Sequence, residues 1–573
     1  MKTSLPAALS AAFLFLPVTG FLCAQDMADS IALVVGASSP EELDESEVER
    51  LNSLMDRKLK INTASRRALL ASGLFSPYQA ASIIDWRSRC GDILSFTELS
   101  TLDGFDKGAV DALRPFLSLE SYALPGVSSL EKGRFGQDVL LKGGWKDGNR
   151  SWGLKYRFNA GERVEGGVAS RSNFADRDFP PASTSFSLAV HPRSWLSTVI
   201  VGDYYARFGE GLALWSGFSL SGVPSAGNFA KKPSGISPAV TFSSSGMLRG
   251  VAAGADFGRL SLSGGLFFPG LKPWMDEGKD LGRETGAFVN ATLLSPSGRS
   301  GVTFIPGKAV SADCHYCPKG VDFFAEGAYS PSGKAVAGIG GMSVAFGGGY
   351  RLSALARGYP AGYRNRFAGA VSSGSTVSDE YGASLGLSRG SLDFTLDARC
   401  SADFGKTQIK ALLKFPVLES DNWKITSRIG ERLRGYGRRN RTDLRADISY
   451  VKGPFDAALR GNLLLCREAG SLVYLESGYK GEVLSCHLRG TLFRVDEWDD
   501  RIYVYERDAP GSFSVTAWYG RGASLSFYLA MKWVRPGRGW RWKLYLRGWA
   551  TGYARETKKP GSAGLKLQTV INL

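Results

Sequence analysis

The chain reads KLKINTASRRALLASGLFSPYQAASIIDWRSRCGDILSFTELSTLDGFDKGAVDALRPFLS over residues 58–118. The stretch has two similar halves, and in each half a short segment with helical apolar spacing ends in a tight turn before a second helix begins. In the first half Ser76 is placed to cap that helix, with Pro77 at its first position and Gln79 at its third, which is a capping box. The pattern predicts two helical hairpins packed around one small core.

The second half uses different residues for the same purpose. Ser95 and Glu98 predict another capping box, and Asp106 is placed to cap the last helix. Apolar residues continue the helical spacing at Leu99, Leu102, Val110, Leu113 and Phe116. Residues 58–118 are therefore predicted to form one small all-α domain.

Residues at fixed places in both halves match a known family pattern: Ile61-Asn62-Thr63-Ala64-Ser65, Gln79-Ala80, Ile83-Ile84, Trp86-Arg87, Gly91, Glu98-Leu99, Gly104-Phe105 and Leu113. On these residues the stretch resembles the tandem helix-hairpin-helix domain of the competence DNA-receptor type. The resemblance implies DNA binding without sequence readout, in which backbone N–H groups of a Gly-x-Gly hairpin contact phosphate oxygens. The residues implied for that site are Ser76, Gln79, Gly104, Phe105 and Lys107.

Two positions depart from the family pattern. Leu74 stands where the first hairpin would have a glycine, and the carboxylate of Asp106 would repel a phosphate at the second hairpin. Residues 58–118 carry eight Lys and Arg against six Asp and Glu, which is a weak charge excess for a DNA-binding domain. A structural or protein-docking module is therefore the alternative.

The residues before this domain suggest secretion. Lys2, an apolar stretch over residues 5–21 and Leu22-Cys23-Ala24 predict a signal peptide over residues 1–24. Residues 25–57 are acidic around EELDESEVE at 41–49, and they predict one amphipathic lead-in helix with a solvated charged face.

After a predicted linker at residues 119–133, alternating apolar and polar residues continue over residues 134–573. One example is Trp152, Leu154, Tyr156 and Phe158 against Gly153, Lys155 and Arg157. An apolar face with aromatics near strand ends, opposite a charged face, is typical of an antiparallel transmembrane β-barrel with a wet lumen. Runs of about ten residues at a spacing of roughly 20 residues predict about 20–24 strands, with a lumen that is either open or plugged. Together with the signal peptide, the barrel predicts the outer membrane of a Gram-negative bacterium.

The segment DYYARFGEGLALWSG at 203–217 resembles a motif of uncharacterised outer-membrane proteins that also carry the hairpin domain. Asp203 and Arg207 share one strand face, so we predict that they pair on the lumenal wall, either as a polar site or as a structural charge pair. The glycines at 209 and 211 predict a bulge.

The net charge of +16 includes two arginine-rich runs, at 432–445 and 532–547. Basic residues in the lumen would favour anions, nucleic acid among them, whereas basic loops would contact anionic lipid headgroups. Cys314-His315-Tyr316-Cys317 is a lone CxxC, for which a loop disulfide is predicted rather than a zinc site.

No catalytic constellation, metal site or cofactor motif is evident, so the chain is predicted not to be an enzyme, with an outer-membrane hydrolase as the remaining enzymatic alternative. The predicted function is handling or transport of DNA or another polymer at the outer membrane, with the helix-hairpin-helix domain in the periplasm. The alternative is a non-enzymatic assembly or structural protein, whose hairpin domain binds a periplasmic protein or plugs its own barrel.

Overall fold

The structure is a computed structural model that describes residues 24–105, 107–121, 135–161, 163–174, 181–192, 195–243, 246–268, 284–295, 297–318, 320–437, 439–534, 540–557 and 559–573. Residues 1–23 of the predicted signal peptide, residues 122–133 of the predicted linker, the predicted cap Asp106, and Arg438 lie outside these ranges.

The N-terminal region consists of six α-helices: α1 (Ala24–Val35), α2 (Glu45–Asp56), α3 (Arg66–Ala71), α4 (Pro77–Cys90), α5 (Phe96–Leu99) and α6 (Lys107–Leu113). The short strands β1 (Leu59–Lys60) and β2 (Leu117–Ser118) pair in parallel and bring the two ends of residues 58–118 together. We call residues 24–121 the plug, for the position described below.

The capping box of the first hairpin is confirmed. The Ser76 hydroxyl accepts a hydrogen bond from the Gln79 backbone N–H, and the Gln79 side chain accepts one from the Ser76 N–H. In the second hairpin Ser95 caps α5, but the Glu98 carboxylate accepts from the N–H of Leu94, so only half of the predicted box forms.

The lead-in is two helices, and the prediction of one helix was wrong. Gly36 has a φ of 85° just after α1, Pro40 begins a short 3₁₀ turn, and the Asp44 side chain caps α2. Both helices pack into the hairpins, because Ile31 and Leu51 share one buried core with Leu74 and Phe116.

Residues from 135 onward form a closed antiparallel barrel of 24 strands, in agreement with the predicted fold class. The short strand β8 pairs with the end of β7, and strands β25 and β26 form a separate hairpin that is not part of the barrel wall. In chain order the strands are β3 (Phe135–Lys146), β4 (Asn149–Ala160), β5 (Val164–Arg171), β6 (Ser183–Val190), β7 (Leu196–Arg207), β8 (Gly235–Pro238), β9 (Leu248–Phe257), β10 (Leu260–Phe267), β11 (Gly286–Ser295), β12 (Gly298–Ile305), β13 (Ala309–Tyr316), β14 (Val321–Ser330), β15 (Ala335–Phe346), β16 (Tyr350–Tyr359), β17 (Glu380–Arg389), β18 (Leu392–Cys400), β19 (Thr407–Glu419), β20 (Trp423–Arg434), β21 (Arg441–Lys452), β22 (Phe455–Leu465), β23 (Ala469–Lys480), β24 (Leu484–Val495), β25 (Ile502–Glu506), β26 (Ser514–Trp518), β27 (Gly520–Val534), β28 (Arg541–Tyr553) and β29 (Ser562–Asn572).

The barrel closes where β29 pairs with β3, for example Leu567 with Gly143. Its two faces follow the predicted alternation: Leu154 points outward and is 43% exposed, whereas its neighbour Lys155 points inward and is 3% exposed. An apolar outer face on a closed barrel of this size is the architecture of an outer-membrane protein. Among the described residues, no helix is both long and apolar enough to cross a bilayer.

The two ends of the barrel differ. At one end no connection exceeds six residues, and β3 begins and β29 ends there; we call it the short-turn end. The opposite, long-loop end carries the extended connections 208–247, 268–285, 360–379 and 496–519. The plug lies in the lumen, from Arg67 beside Asp256 at the short-turn end to Glu45 beside Arg171 at the long-loop end.

Candidate functional site

The acidic segment, residues 41–49, lies inside the lumen. Its glutamates pair with basic residues of the barrel wall and the plug, and Glu47 and Glu49 are each only 5% exposed. The prediction of a solvated charged face was therefore wrong. Residues 25–57 contain nine acidic and two basic residues, and they face a basic lumenal wall. Opposite charges therefore hold the acidic segment in the lumen.

Glu41 joins two strands of the wall. Its carboxylate lies 3.2 Å from Arg445 on β21 and 2.7 Å from Arg460 on β22, and it also accepts from the backbone N–H of Tyr505. Burial disfavours the charged form, but Arg445 and Arg460 outweigh it and lower the pKa of Glu41 well below its usual range. Glu41 is therefore charged and bound to both arginines at neutral pH.

Glu45 and Glu49 bind the opposite side of the wall. Glu45 lies 2.7 Å from Arg171 on β5 and 3.5 Å from Lys142 on β3. Glu49 pairs with the buried Lys155 on β4 and accepts the backbone N–H of Phe242 at 3.1 Å. The segment thus crosses the lumen from β3–β5 to β21–β22.

Glu47 connects the acidic segment to the run at 203–217 through Arg207. Its carboxylate lies 2.6 Å from Arg50 on α2 and 3.3 Å from Arg207 at the end of β7. Burial opposes ionisation, but the two arginines outweigh it and lower the pKa of Glu47 to about 2.

Asp203 and Arg207 have different partners in the structure. Arg249 on β9 binds Asp203 through two contacts, of 2.6 and 2.7 Å, while Arg207 contacts Glu47 and donates to the carbonyl of Ser216. Arg207 therefore contributes to plug binding, and a direct Asp203–Arg207 pair with a role in the lumen stays a prediction.

The glycines of the same run form an inward turn after β7 rather than the predicted bulge. The backbone N–H groups of Glu210, Leu212 and Ala213 all donate to the carboxylate of Glu326 on β14. Gly209 has a φ of 58°, and a Cβ there would lie 2.6 Å from Glu326 Oε2, so a larger residue would displace the carboxylate. Glu326 thus fixes the connection 208–247 inside the lumen.

The hairpin β25–β26 is a second inward-folded connection. Asp508, between its strands, lies 2.9 Å from Arg547 on β28 and 2.8 Å from Lys566 on β29. Arg507 pairs with Glu476 on β23 at 2.5 Å, and Phe513 packs on the core of the plug. The lumen is therefore narrowed by the plug and by two connections from the long-loop end.

The helical hairpins lie at the short-turn end. Arg67 pairs with Asp256 near the β9–β10 turn at 3.1 Å, and Arg66 donates to the carbonyl of Ser295 near the β11–β12 turn. Helix α4 lies against β12 and β13. This half of the plug covers the mouth, while the acidic segment occupies the lumen.

The residues implied for DNA contact are engaged within the plug. The Gln79 side chain, besides its capping bond, donates to the carbonyl of Gly104 at 2.8 Å, which joins the two hairpins. Gly104 has a φ of 83° and packs on Tyr78, and Phe105 is buried edge-to-face against Phe75. Lys107 is exposed. Phosphate binding at Ser76, Gln79, Gly104, Phe105 and Lys107 stays a prediction.

The predicted Cys314–Cys317 disulfide is wrong, since both thiols are free. Cys314 lies in β13 and faces outward, whereas Cys317 is buried after the strand ends. Residues three apart on an extended strand point to opposite faces, which separates the two sulfurs.

No family model and no curated protein matches the chain. Solved structures of barrels do match. The outer membrane protein OprD from Pseudomonas aeruginosa matches with 9% identity and a TM-score of 0.27, over 77% of this chain and 94% of OprD. The translocation pore of the P pilus usher PapC matches with 11% identity and a TM-score of 0.39, over 76% of this chain and 99% of PapC. At such identities and TM-scores these likenesses carry no argument about function.

Arg249, Glu326, Arg445 and Arg460 are contact residues that the sequence did not single out as partners. Each lies far along the chain from the group it binds. The sequence does show that the acidic segment and the barrel carry opposite charges. This predicts that acidic residues pair with basic ones, but it does not identify the individual partners.

Proposed function

We propose that the protein is an outer-membrane channel closed by its own N-terminal plug, and that the acidic segment is the element that keeps the plug in the lumen. The observation that carries the proposal is the set of ion pairs to the wall, which are buried for Glu41, Glu47 and Glu49 and half-buried for Glu45. Because short turns face the periplasm in such barrels, the hairpins would lie at the periplasmic mouth, accessible to a periplasmic protein that displaces the plug.

Conductance through planar lipid bilayers tests this proposal. The full-length wild type should be mostly closed, and the triple variant Glu41→Gln/Glu45→Gln/Glu49→Gln should open frequently, because the changes leave buried and half-buried cations of the wall without their partners. A matched control removes three exposed carboxylates of the plug, Asp85→Asn/Asp111→Asn/Glu120→Gln, and should stay closed. A wild type that conducts as freely as the triple variant would contradict the proposal.

Passage of a polymer, with DNA as one cargo, is the finer form of this function. The basic lumenal wall supports an anionic cargo, and the resemblance of the hairpins to a DNA-receptor domain supports nucleic acid. In proteoliposomes that carry the triple variant, a short single-stranded DNA should enter faster than a neutral dextran of equal size. Equal entry rates would remove the preference for an anionic polymer.

A further inference from the structure

The inner wall of β19–β21 carries two rows of basic side chains, and among the described residues the plug forms close ion pairs with only one of them. Strand register places Lys414 opposite Arg428 and Arg428 opposite Arg445 in the row nearer the short-turn end. In that row Arg445 lies 3.2 Å from Glu41, and Arg428 lies 3.8 Å from Glu42. The acidic segment therefore supplies the anions for this row.

The second row lies four residues closer to the long-loop end. Lys410 is opposite Arg432, and Arg432 is opposite Arg441, so three cations stand side by side on three neighbouring strands. Like charges directly opposite each other across a sheet are destabilising. A row of this kind needs an anion, or it lowers the stability of the barrel.

The described residues give this second row nearby carboxylates but few close ion pairs. Asp397 is opposite Lys410 across β18 and β19 but binds Arg357, and Glu42 of the plug lies beyond ion-pairing distance of Lys410 and Arg432. Arg432 has no hydrogen bond or ion pair in the described part of the chain, and the carboxylate nearest Arg441 is Asp443 at 3.9 Å. Arg434, one step further out, reaches only the neutral side chain of Gln408, at 3.5 Å. Arg399 adds another guanidinium to the group, at 3.6 Å from Glu380.

We propose that Lys410, Arg432, Arg434 and Arg441 form a binding site for a phosphate-rich anion at the long-loop end of the lumen. Guanidinium groups bind phosphate oxygens in pairs through their planar set of donors. Three adjacent strands extend over about 10 Å, which is wider than one phosphate and fits a chain of two or more. The site goes beyond the channel function proposed above, and it does not require the plug to move.

Calorimetric titration of the full-length protein in nanodiscs with sodium tripolyphosphate tests the site. The wild type should bind saturably and more weakly as NaCl is added, because salt screens the attraction between the basic groups and the phosphates. The variant Arg432→Gln/Arg441→Gln should bind at least about tenfold more weakly, since two charge-assisted contacts are lost. The control Arg150→Gln/Arg494→Gln removes two exposed arginines near the same end of the barrel and should change the affinity by less than about twofold.

The melting temperature without ligand is the second measurement. If the row is a binding site, Arg432→Gln/Arg441→Gln relieves repulsion, and the variant should unfold at the same temperature as the wild type or higher. A lower melting temperature would assign the arginines a structural role and overturn the proposal. Absence of saturable tripolyphosphate binding by the wild type, or undiminished binding by the variant, would also overturn it.

Discussion

The two halves of the plug contact the barrel in different ways. The hairpin half, residues 58–121, meets the wall through pairs such as Arg67–Asp256, whose side chains are 29% and 36% exposed. The acidic half, residues 24–57, uses pairs such as Glu49–Lys155, whose side chains are 5% and 4% exposed. The hairpin half, which resembles a known domain, thus contacts the wall through the more exposed side chains.

The exposure of these ion pairs to solvent determines how much each contributes to stability. An exposed ion pair contributes about 0–1 kcal/mol, because water screens it. Removing one partner of a buried pair costs about 3–5 kcal/mol, because the remaining charge is left without compensation in a poor solvent. The acidic half should therefore dominate retention of the plug, although it carries no recognisable motif.

Charge reversal in the acidic half should have the largest effect. Glu49→Lys places a second cation beside the buried Lys155 and should destabilise the seated plug by at least about 3 kcal/mol. We expect faster trypsin cleavage within residues 24–121 and a higher conductance of the full-length protein.

The matched change in the hairpin half is Asp85→Lys, which alters an exposed pair with Arg89. It should leave both cleavage and conductance within error of the wild type. Equal sensitivity of the two variants would erase the distinction between the halves.

The second-largest effect is expected from low pH, which should weaken the ion pairs between the acidic half and the barrel. The pKa of Glu47 is about 2 in the folded protein against an ordinary value of 4.5, so its contribution is complete above pH 4.5 and is lost as the pH falls towards 2. Linkage puts the contribution of Glu47 to folding stability at about 3 kcal/mol at neutral pH, and the part due to Arg207 is the part that holds the plug to the wall, since Arg50 lies in the plug itself. Glu41 shifts in the same direction.

Wild-type conductance should therefore rise as the pH falls below 4.5, and Glu47→Gln should show a smaller rise from a higher baseline. A conductance that is independent of pH over this range, or that rises towards alkaline pH, would be evidence against ion pairs as the retaining interactions.

The smallest effect is expected in the hairpin half. Ser76→Ala removes the cap of α4 and should lower the stability of that helix by about 0.5–2 kcal/mol. Hydrogen exchange should accelerate in residues 77–90 while conductance stays unchanged. Ser100→Ala, at the exposed end of α5, is the control and should affect neither. A conductance increase in Ser76→Ala would show that the hairpins, too, keep the channel closed.

Local patterns predicted much of the fold. Alternation along residues such as Trp152 to Phe158 predicted the strands and their faces, because side chains on a strand alternate between two environments. The Ser76 and Gln79 spacing predicted a cap that depends on neighbours three residues apart. The prediction of a single lead-in helix was wrong for a similarly local reason, because Gly36 and Pro40 interrupt an otherwise helical apolar pattern.

The sequence by itself determined the outer-membrane barrel, the helical N-terminal region and the opposite charges of the two, since these follow from period, composition and spacing. Only the tertiary structure decided that the acidic segment lies in the lumen, that Glu41 binds Arg445 and Arg460, and that Glu326 accepts the backbone amides of 210–213. Each of these contacts joins residues that the closed barrel brings together from distant parts of the chain. Charge pattern names the type of partner, but strand register and barrel closure select the residue.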